Sequence, residues 1–461
     1  MGKTRKKYSK NNKGGNVLAS GGYGCVFKPA LKCENTNKRE KNKISKIMTE
    51  RHAIEEYGKI TSIKEKLDLI PNYEDYFLLY DTTLCRPEKL TAKDLTFFKS
   101  KCTALPKDNI TKSNINTKLN EIMIINMPNG GLPVDDYIYA NGSFQQIYNV
   151  HNNLVKLLKH GIIPMNERNI YHSDIKDSNI LVDYKNNEFK TRLIDWGLCV
   201  EYEVNHLKFP KNWRNRPLQF NVPFSVVIFS DSFYEKYSEY LNSGGEVNKI
   251  SLKPFVINYL NSWMSDRGPG HYKFINEIMY KLYSKEISNV SEKNKPVYVE
   301  TQITMPIIVD YIVNVLDNYT KFRENGELNL REYLNKVFIK IIDIYGFINS
   351  YYPLLELLYN NYSILNANEI KLYNKVCSLF KEYLYTPQTT PYNMNDLLTN
   401  LNNIGKLLQI LARESENQIT TSSPLASGIK TKKRKIKSKS TLFKRKPFVK
   451  KFKKPLFLSI K

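Results

Sequence analysis

The sequence predicts an α+β protein, with a small strand-rich part towards its N-terminal end and a larger helical part after it. Short apolar runs separated by glycine or polar segments dominate up to about residue 129. From residue 144 onward, apolar residues recur at the three- and four-residue spacing of helices. With 461 residues and an apolar share of 41%, the chain is long enough for one large domain or two.

Composition divides the chain into four parts. Residues 1–15 and 413–461 are polar and basic, which predicts that both segments are disordered. Residues 16–129 carry the strand-like pattern, and residues 130–412 carry the helical one. Within the strand-rich part, residues 85–120 form a long polar insertion with two cysteines and little pattern.

The excess positive charge lies at the two ends of the chain. The net charge is +25, yet residues 1–15 contain six Lys or Arg and residues 430–461 contain fifteen, with no acidic residue in either segment. The body between them is therefore nearly neutral. We expect the two ends to be the parts that attract an anionic partner.

The C-terminal segment combines this charge with spaced phenylalanines, which are Phe443, Phe448, Phe452 and Phe457. Basic clusters with spaced aromatic rings suit nucleic acid, an anionic membrane or an acidic protein surface. The basic run at 432–435 also fits a nuclear localisation signal. A disordered tail that only keeps the protein soluble is the other interpretation.

Hydropathy and cysteine spacing both argue against export or membrane insertion. No apolar run approaches the roughly 18 residues that span a bilayer, so we expect no transmembrane segment. None of the six cysteines forms a Cys-x-x-Cys pair, which predicts core thiols in a reduced, cytoplasmic compartment. For Cys85 and Cys102, the alternative is that they pair with each other or share a metal ion.

The polar groups that phosphoryl transfer needs are grouped in one stretch. Asp174 lies two residues before Lys176 and five before Asn179, and Asp195 follows an apolar run. In phosphoryl transfer one carboxylate orients the attacking hydroxyl, an ammonium group neutralises the moving phosphoryl group, and an amide and a second carboxylate hold magnesium. Flanking apolar residues predict short strands with these groups at their ends. The alternative is an ordinary loop and strand with surface carboxylates.

The stretch resembles the catalytic loop of protein kinases, H-R-D-x-K-x-x-N followed by D-F-G. The resemblance implies that Asp174 is the catalytic base and that Lys176 contacts the transferring phosphate. It implies that Asn179 completes the catalytic loop and, with Asp195, ligates Mg²⁺. ATP and Mg²⁺ are the implied cofactors.

The same resemblance implies a bilobal kinase-like fold. A small β-rich N-lobe would cover residues 16–129, and an enlarged helical C-lobe would cover residues 130–412. Two residues depart from the family motif: Ser173 and Trp196 stand where many kinases have arginine and phenylalanine.

Glycines between two apolar runs near residue 22 predict a hairpin turn. On the resemblance, this hairpin is the glycine-rich loop over the ATP phosphates, with alanine in place of the first glycine and a valine over the adenine. A plain hairpin turn is the alternative. The residues that the resemblance places around ATP here are Leu18, Ala19, Ser20, Gly21, Gly22, Tyr23, Gly24 and Val26.

The run at 44–48 predicts a strand that carries one lysine among apolar neighbours. It resembles the V-A-I-K strand of kinases, which makes Lys46 the lysine that holds the nucleotide phosphates. Lys43 is the competing choice, but it lies at the boundary of a polar loop.

Helical spacing over residues 51–67 predicts the next helix. The resemblance implies that a glutamate of this helix pairs with the phosphate-binding lysine. Glu55 and Glu56 both qualify, and Glu56 is favoured because Ile60 follows it by one turn on the inner side.

Two more strands are expected before the helical part. Residues 70–84 have the composition of a strand, and residues 122–131 predict a buried strand that runs into a loop. The second segment is similar to the kinase hinge. The resemblance puts Ile125 beside the adenine and backbone groups of Asn126 and Met127 at the edge of the base, although an ordinary strand exit predicts the same pattern.

The C-terminal part predicts helices over 144–158, 307–316, 328–348, 370–385 and 397–411. The segment after Gly197 departs most from the family. Pro223 takes the proline position of the usual Ala-Pro-Glu, and Phe224 takes the glutamate position. The salt bridge of that glutamate is therefore expected to be missing.

The chain as a whole resembles the divergent protein kinases of nucleocytoplasmic large DNA viruses, mimivirus relatives in particular. The His-Ser-Asp and Asp-Trp-Gly variants, the composition rich in Asn, Lys, Tyr and Ile, and the basic ends carry this resemblance. It implies a viral protein that acts in the host cytoplasm or is packaged in the virion, with the nucleus as a further location.

The sequence thus predicts an ATP-dependent serine/threonine kinase with a protein substrate, because Lys176 follows Asp174 as it does in such kinases. A pseudokinase scaffold is the second interpretation. A small-molecule kinase of the aminoglycoside or choline type is the third. Binding of nucleic acid or an acidic partner through the basic ends is a fourth, and it is compatible with the first.

Overall fold

The structure is a computed structural model, and it describes the body of the chain. The described residues are 16–36, 38–185, 188–204, 209–321 and 330–421, with side chains as far as residue 416. The fold is mixed α+β, as predicted. The chain divides between Gly130 and Gly131 into two compact units, one residue from the predicted boundary. The expected disorder of the two ends concerns residues outside the described ranges, apart from the start of the C-terminal one.

The N-terminal unit is built on a five-stranded antiparallel sheet. Its strands are β1 (Asn16–Ser20), β2 (Gly24–Lys28), β3 (Lys43–Thr49), β4 (Thr83–Cys85) and β5 (Ile122–Pro128). Their order across the sheet is β1-β2-β3-β5-β4. The predicted helix is α1 (Glu50–Leu67), which buries a stripe at helical spacing formed by Ala53, Glu56, Ile60, Ile63 and Leu67.

The insertion covers one face of this sheet. Cys25, Phe27 and Ile47 point to that face and share a buried cluster with Leu95 and Phe98 of the insertion. The expected polar segment with little pattern therefore has an apolar core. It contains α2 (Phe98–Lys101) and short 3₁₀ turns at Leu105–Asp108, Ile115–Thr117 and Leu119–Glu121. The sequence pattern missed it because these turns are too short to show a helical period.

The strand expected over residues 70–84 is mostly wrong. Only Thr83–Cys85 is extended, and a 3₁₀ turn at Tyr73–Asp75 precedes it. Asn72 and Asp81 have φ angles of 57° and 50°, which interrupt an extended backbone. The apolar residues that suggested a strand are buried in an irregular segment instead.

The expectation of free thiols is wrong for four of the six cysteines. Disulfides join Cys25 to Cys102 and Cys33 to Cys85, across sequence separations of 77 and 52 residues. The suggested pair of Cys85 with Cys102 is therefore not formed, although each of them is bridged. Because Cys25 points to the sheet face that the insertion covers, the insertion brings Cys102 to it.

The C-terminal unit has small strands and many helices. Its strands are β6 (Leu132–Pro133), β7 (Ile170–Tyr171), β8 (Ile180–Lys185), β9 (Glu188–Leu193) and β10 (Val200–Glu201). They form a three-stranded sheet in the order β6-β8-β9 and a separate antiparallel pair of β7 with β10.

Each predicted helix falls on a helical segment of this unit, and the unit has further helices for which no bounds were predicted. The helices of the unit are α3 (Val134–Ala140), α4 (Phe144–Leu157), α5 (Ile163–Glu167), α6 (Asp231–Asn242), α7 (Lys249–Arg267), α8 (Tyr272–Leu282), α9 (Lys295–Tyr298), α10 (Met305–Tyr319), α11 (Arg331–Tyr333), α12 (Ile339–Asn349), α13 (Tyr352–Asn360), α14 (Ala367–Tyr383) and α15 (Met394–Thr421). Helix α12 is buried on nearly every side, with only Lys340 exposed, so it forms the centre of this unit.

Helix α15 extends further than the sequence suggests. The apolar pattern ends near residue 412, but the helix continues to Thr421 and packs along α4 and α14. The predicted disorder is therefore wrong for residues 413–421, which are helical. A helix propagates at little cost beyond its last packed turn, so the loss of apolar periodicity does not mark its end.

One helical stretch in the described ranges, Lys295–Tyr319, is long and apolar enough to cross a membrane by length and composition alone. Of its apolar window, 61% is buried inside the protein. A core helix of this kind passes the same test, and α10 packs on α7 within the unit. The stretch is weak support for a membrane span.

Candidate functional site

In the N-terminal unit, the residues predicted around a nucleotide lie on one face of the sheet. Strand register places Ala19 opposite Val26, Val26 opposite Lys46, and Lys46 opposite Ile125. Because directly opposed residues of antiparallel strands point to the same face, the four side chains form one row. We call this row the lysine face. The insertion covers the opposite face of the sheet.

Lys46 is held by Glu56 of α1. Its Nζ lies 2.7 Å from Oε1 and 2.8 Å from Oε2 of Glu56, and both side chains are about nine-tenths buried. Glu55 instead pairs with Arg51, at 3.0 Å on the outer side of the helix. The choice of Glu56 from helical spacing is therefore confirmed as a contact. Two carboxylate oxygens fix the ammonium group at a defined point of the lysine face.

The glycine-rich turn is a tight hairpin. The Gly21 N–H donates to the Gly24 carbonyl at 2.9 Å. A Cβ on Gly24 would lie 2.6 Å from the Ile47 carbonyl oxygen, whereas a Cβ on Gly22 would meet nothing within 4 Å. Gly24 is therefore required by the close approach of β3, and the space above Gly22 is open.

The hairpin is anchored to the insertion by more than the disulfide. The Ser20 hydroxyl accepts hydrogen bonds from the backbone N–H groups of Thr103 and Ala104, each at 3.1 Å. These residues follow Cys102, which is bonded to Cys25. Ser20 thus serves the local fold, while Tyr23 at the tip is 57% exposed and contacts the His52 ring.

Three other predicted nucleotide residues point elsewhere or use backbone only. Leu18 falls in a bulge of β1 between paired Val17 and Ala19, and it lies outside the row. The Asn126 side chain is buried on the opposite face, where it accepts a hydrogen bond from the Ser45 hydroxyl. Met127 is paired with a residue of β3 in the ladder. Only their backbone groups are consistent with the predicted contact to a base.

In the C-terminal unit, residues 172–179 form a loop, which we call the aspartate loop. It brings together the predicted residues Asp174, Lys176 and Asn179. Oδ2 of Asp174 accepts hydrogen bonds from Lys176 Nζ at 2.8 Å and from Asn179 Nδ2 at 2.9 Å. Oδ1 accepts one from Asn221 Nδ2 at 2.9 Å. Hydrogen bonds to both oxygens orient the carboxylate.

Asn179 and Asp195 come to the same end of the β8–β9 ladder. Ile180 is paired with Leu193, and the Ile194 N–H donates to the Asn179 carbonyl at 3.0 Å. Asp195 follows directly, exposed and with a φ angle of 66°. The two residues predicted to hold a metal are therefore neighbours through the strand pairing.

The donor atoms of this pair fit magnesium. Asn179 uses its Nδ2 to donate hydrogen bonds to the backbone carbonyl and the side chain of Asp174, which leaves Oδ1 as the side-chain atom that could ligate a cation. Oxygen atoms of an amide and a carboxylate are ligands that Mg²⁺ takes, usually with water and substrate phosphates completing the shell. No group of three His, Cys, Asp or Glu with metal-ligand spacing occurs in the described ranges, and an Asn–Asp pair is not such a group.

The start of the aspartate loop is held in place by one buried carboxylate, that of Asp343 on α12. Asp343 accepts hydrogen bonds from the N–H groups of His172 and Ser173, from 171 and 170 residues earlier in the chain, each at 2.8 Å. It also accepts one from Asn166 Nδ2 at 2.8 Å. Burial raises the pKa of Asp343, and these hydrogen bonds oppose that rise. Three donors converge on one acceptor and fix the start of the loop.

Ser173 is fixed by residues of the segment after Gly197. Trp213 donates from Nε1 to the Ser173 hydroxyl at 2.8 Å, and Arg216 donates from Nη1 to the Ser173 carbonyl at 2.8 Å. Ser173 has a φ angle of 62°, a left-handed conformation that needs such support. Burial lowers the pKa of Arg216 to about 10, so the group stays cationic at neutral pH.

The His172 ring connects the aspartate loop to the segment that carries Asp195 through two hydrogen bonds. Its Nδ1 accepts from the Asp174 N–H at 3.3 Å, so Nε2 carries the proton and donates to the Ile194 carbonyl at 3.0 Å. The ring thereby connects Asp174 to Ile194, the residue before Asp195. Phe224 is fully buried and packs edge-on against Tyr311, so this position makes apolar contacts.

Sequence reasoning missed Asp343 and assigned no role to Arg216 or Asn221. A weak signal existed for the first, since Asp343 is the single acidic residue in an otherwise apolar helix. The other two lie within residues 216–221, whose sequence gives no sign of contacts to Ser173 or Asp174. A comparison with protein-family models and with curated proteins finds no match for this chain.

Proposed function

We propose that this protein is an ATP-dependent serine/threonine protein kinase. The observation that carries the proposal is the Asp174 carboxylate, whose two oxygens are oriented by Lys176, Asn179 and Asn221. An aspartate held this firmly beside a lysine suits a group that accepts a proton from an attacking hydroxyl. The lysine face supports the proposal independently, because a buried Lys–Glu pair beside an open glycine hairpin suits phosphate binding.

In this mechanism, the residues of the chain act by position and charge. Asp174 orients the acceptor hydroxyl and takes its proton, while Lys176 neutralises the charge that builds on the transferring group. Lys46, oriented by Glu56, binds nucleotide phosphate. Asn179 and Asp195 would hold Mg²⁺, and magnesium-bound ATP supplies the phosphoryl group.

Asp343, Arg216 and Asn221 act as positioning residues. Asp343 and Arg216 fix the backbone of the aspartate loop from two sides. Asn221 bridges the Asp174 carboxylate and the Ile175 carbonyl, at 2.9 Å and 3.2 Å. Reaction geometry that is built in advance costs no reorganisation at the moment of transfer.

The test is transfer of labelled γ-phosphate from magnesium-ATP to a generic basic protein. We expect Asp174→Asn to lower the rate by about 10²–10⁴-fold, the usual range for loss of a proton-transfer group. Asp195→Asn should also lower the rate, because the variant loses a carboxylate that would hold Mg²⁺. Asp310→Asn is the matched control, because this carboxylate lies on the surface of α10 and is 45% exposed. The control should retain the full rate.

The modified residue is identified in the same experiment. Label on serine and threonine that both active-site variants abolish is the predicted result. Transfer that survives Asp174→Asn would contradict the assignment of the base. Label that reaches only small hydroxylated acceptors would favour a small-molecule kinase instead.

A further inference from the structure

A groove of about 500 Å³ lies on the N-terminal unit, away from the lysine face. Its apolar lining comes from β1, from the end of β2 and from the insertion, and three lysines accompany it. The lining includes the apolar residues Val17, Pro29 and Phe97 and the lysines Lys28, Lys41 and Lys101. The lining contains no acidic residue.

Phe97 is an unusual residue for such a position. Its backbone has a φ angle of 64°, a left-handed conformation that is an outlier for a bulky side chain. The ring gains little burial in return, since the residue is 54% exposed. A strained conformation that presents an apolar ring to solvent is typical of sites that bind something.

The three lysines of the groove are exposed cations. In the described part of the chain, no carboxylate lies at ion-pair distance from Lys28, Lys41 or Lys101. Other cations of the unit do have carboxylate partners, in the pairs Lys32–Glu88, Arg39–Asp94, Lys43–Asp81 and Arg86–Glu50. Positive charge at the groove is therefore not neutralised by neighbouring carboxylates.

The groove is held by covalent and hydrogen bonds, which suits a pre-formed binding site. Its insertion wall ends at Cys102, which is bonded to Cys25 of β2. The next two residues donate to Ser20 at the end of β1. The wall that carries Phe97 thus cannot drift from the strands that form the other side while these bonds persist.

We propose that this groove docks an acidic linear segment of a partner protein, with one apolar side chain of that segment seated against Phe97. Charge complementarity sets the sign of the partner, and the apolar lining calls for an apolar anchor. A peptide fits better than single-stranded nucleic acid, because nucleic acid uses repeated stacking rings along a basic track and the groove has one exposed ring. Docking here is separate from the proposed phosphotransfer and is measured as binding.

The test is fluorescence anisotropy of the full chain with a labelled peptide that carries leucine and phenylalanine between short runs of glutamate. We expect Lys28→Glu, Lys41→Glu and Lys101→Glu together to weaken binding by about tenfold, the factor that three exposed ion pairs of ordinary strength supply. Phe97→Ser should weaken binding by about three- to tenfold through loss of apolar contact.

Matched controls separate the groove from the basic ends of the chain. Lys89→Glu, Lys107→Glu and Lys112→Glu together change the charge equally at exposed positions of the insertion outside the groove. Leu69→Ser removes another exposed apolar side chain, which is 71% exposed. Both controls should bind the peptide within about twofold of the unaltered protein, since neither removes a groove contact.

Three results would overturn the proposal. One is equal weakening by the two lysine sets, which would mean that overall charge rather than the groove attracts the probe. Another is unchanged binding when the leucine and phenylalanine of the peptide are replaced by glycine. The third is a labelled oligothymidylate whose affinity depends on the groove while that of the peptide does not, which would assign the groove to nucleic acid.

Discussion

The lysine face and the aspartate loop are held in place by different means. In the lysine face, strand register and one helix position every residue, and all partners lie within about a hundred residues of sequence. In the aspartate loop, the decisive contacts come from Asn221, Arg216 and Asp343, up to 171 residues away. The first is a product of local pattern, and the second is a product of tertiary packing.

This difference teaches where each region is vulnerable. The sheet of the N-terminal unit carries its register in its own alternation and is further tied by two disulfides. The aspartate loop has internal hydrogen bonds, but it is anchored to the unit by Asp343, Arg216 and Asn221, which lie far away in the sequence. We therefore expect single distant substitutions to disturb the loop strongly and the lysine face weakly.

The largest expected effect is that of Asp343→Ala. The change leaves the N–H groups of His172 and Ser173 and the amide of Asn166 buried without their acceptor. Loss of a fully buried, multiply bonded carboxylate costs about 3–5 kcal/mol. Urea unfolding should show this loss, and Asp343→Asn should lose less because one acceptor oxygen remains.

If Asp343→Ala unfolds like the unaltered protein, the loop does not depend on α12, and the contrast between the two regions is broken. Asp310→Asn serves again as the surface control. Its Oδ1 makes one exposed ion pair with Lys253, which contributes at most about 1 kcal/mol.

Removal of a disulfide should have the next largest effect on the free energy of unfolding. Cys25→Ser with Cys102→Ser should lower the free energy of unfolding by about 2–4 kcal/mol, because the bond closes a long loop in the unfolded chain. The pair Cys33→Ser and Cys85→Ser should behave similarly. Reductant should destabilise the unaltered protein and have a smaller effect on either double variant. An unaltered protein that is indifferent to reductant would show that the bonds are absent in solution.

The contrast also explains what the sequence could predict. The strands at 44–48 and 122–128, helix α1 and the choice of Glu56 follow from periodicities of two and of about 3.6 residues, which a short window contains. The proximity of Asp174, Lys176 and Asn179 follows from their spacing within one loop.

The cysteine pairs and Asp343 could not be predicted in the same way. Cys25 and Cys102 meet because the insertion folds onto one sheet face, and nothing local to either cysteine encodes that packing. Asp343 reaches the aspartate loop only after α12 is buried in the centre of its unit. Contacts of this kind depend on the whole fold.

A smaller loss of stability is expected from substitution of a glycine in the hairpin. Gly24→Ala would place a Cβ 2.6 Å from the Ile47 carbonyl oxygen, so β2 must move away from β3, at a cost of about 1–3 kcal/mol. Gly22→Ala meets no atom within 4 Å and should cost under about 0.5 kcal/mol. Thermal unfolding of both variants checks this order, and equal losses would contradict it.

The last and most gradual expected effect is a loss of stability at acidic pH, caused by His151. His151 of α4 is buried against α15 and accepts a hydrogen bond from Tyr351 at 2.9 Å. Burial lowers its pKa from 6.5 to about 4. Between pH 6.5 and about 4, the His151 ring therefore binds a proton in the unfolded chain but not in the folded one. Stability should fall by up to about 1.4 kcal/mol per pH unit between pH 6.5 and about 4, and then level off.

The check is unfolding by urea across that pH range for the unaltered protein and for His151→Asn. The variant keeps a polar acceptor for Tyr351 but does not titrate. Its slope should be shallower than that of the unaltered protein. Identical slopes would assign the acid sensitivity to other groups.

The most direct test of the central claim compares two lysines of the same strand in the phosphotransfer assay. Lys46 is paired with Glu56 on the lysine face, whereas Lys43 lies at the start of β3 and pairs with Asp81 and Glu40. We predict that Lys46→Ala lowers transfer by about 10²–10³-fold, as loss of a pre-positioned cationic group does. Lys43→Ala should stay within about twofold, because Lys43 lies three residues from Lys46 in the strand and so points to the opposite face of the sheet. Undiminished transfer by Lys46→Ala, or an equal loss in both variants, would contradict the account.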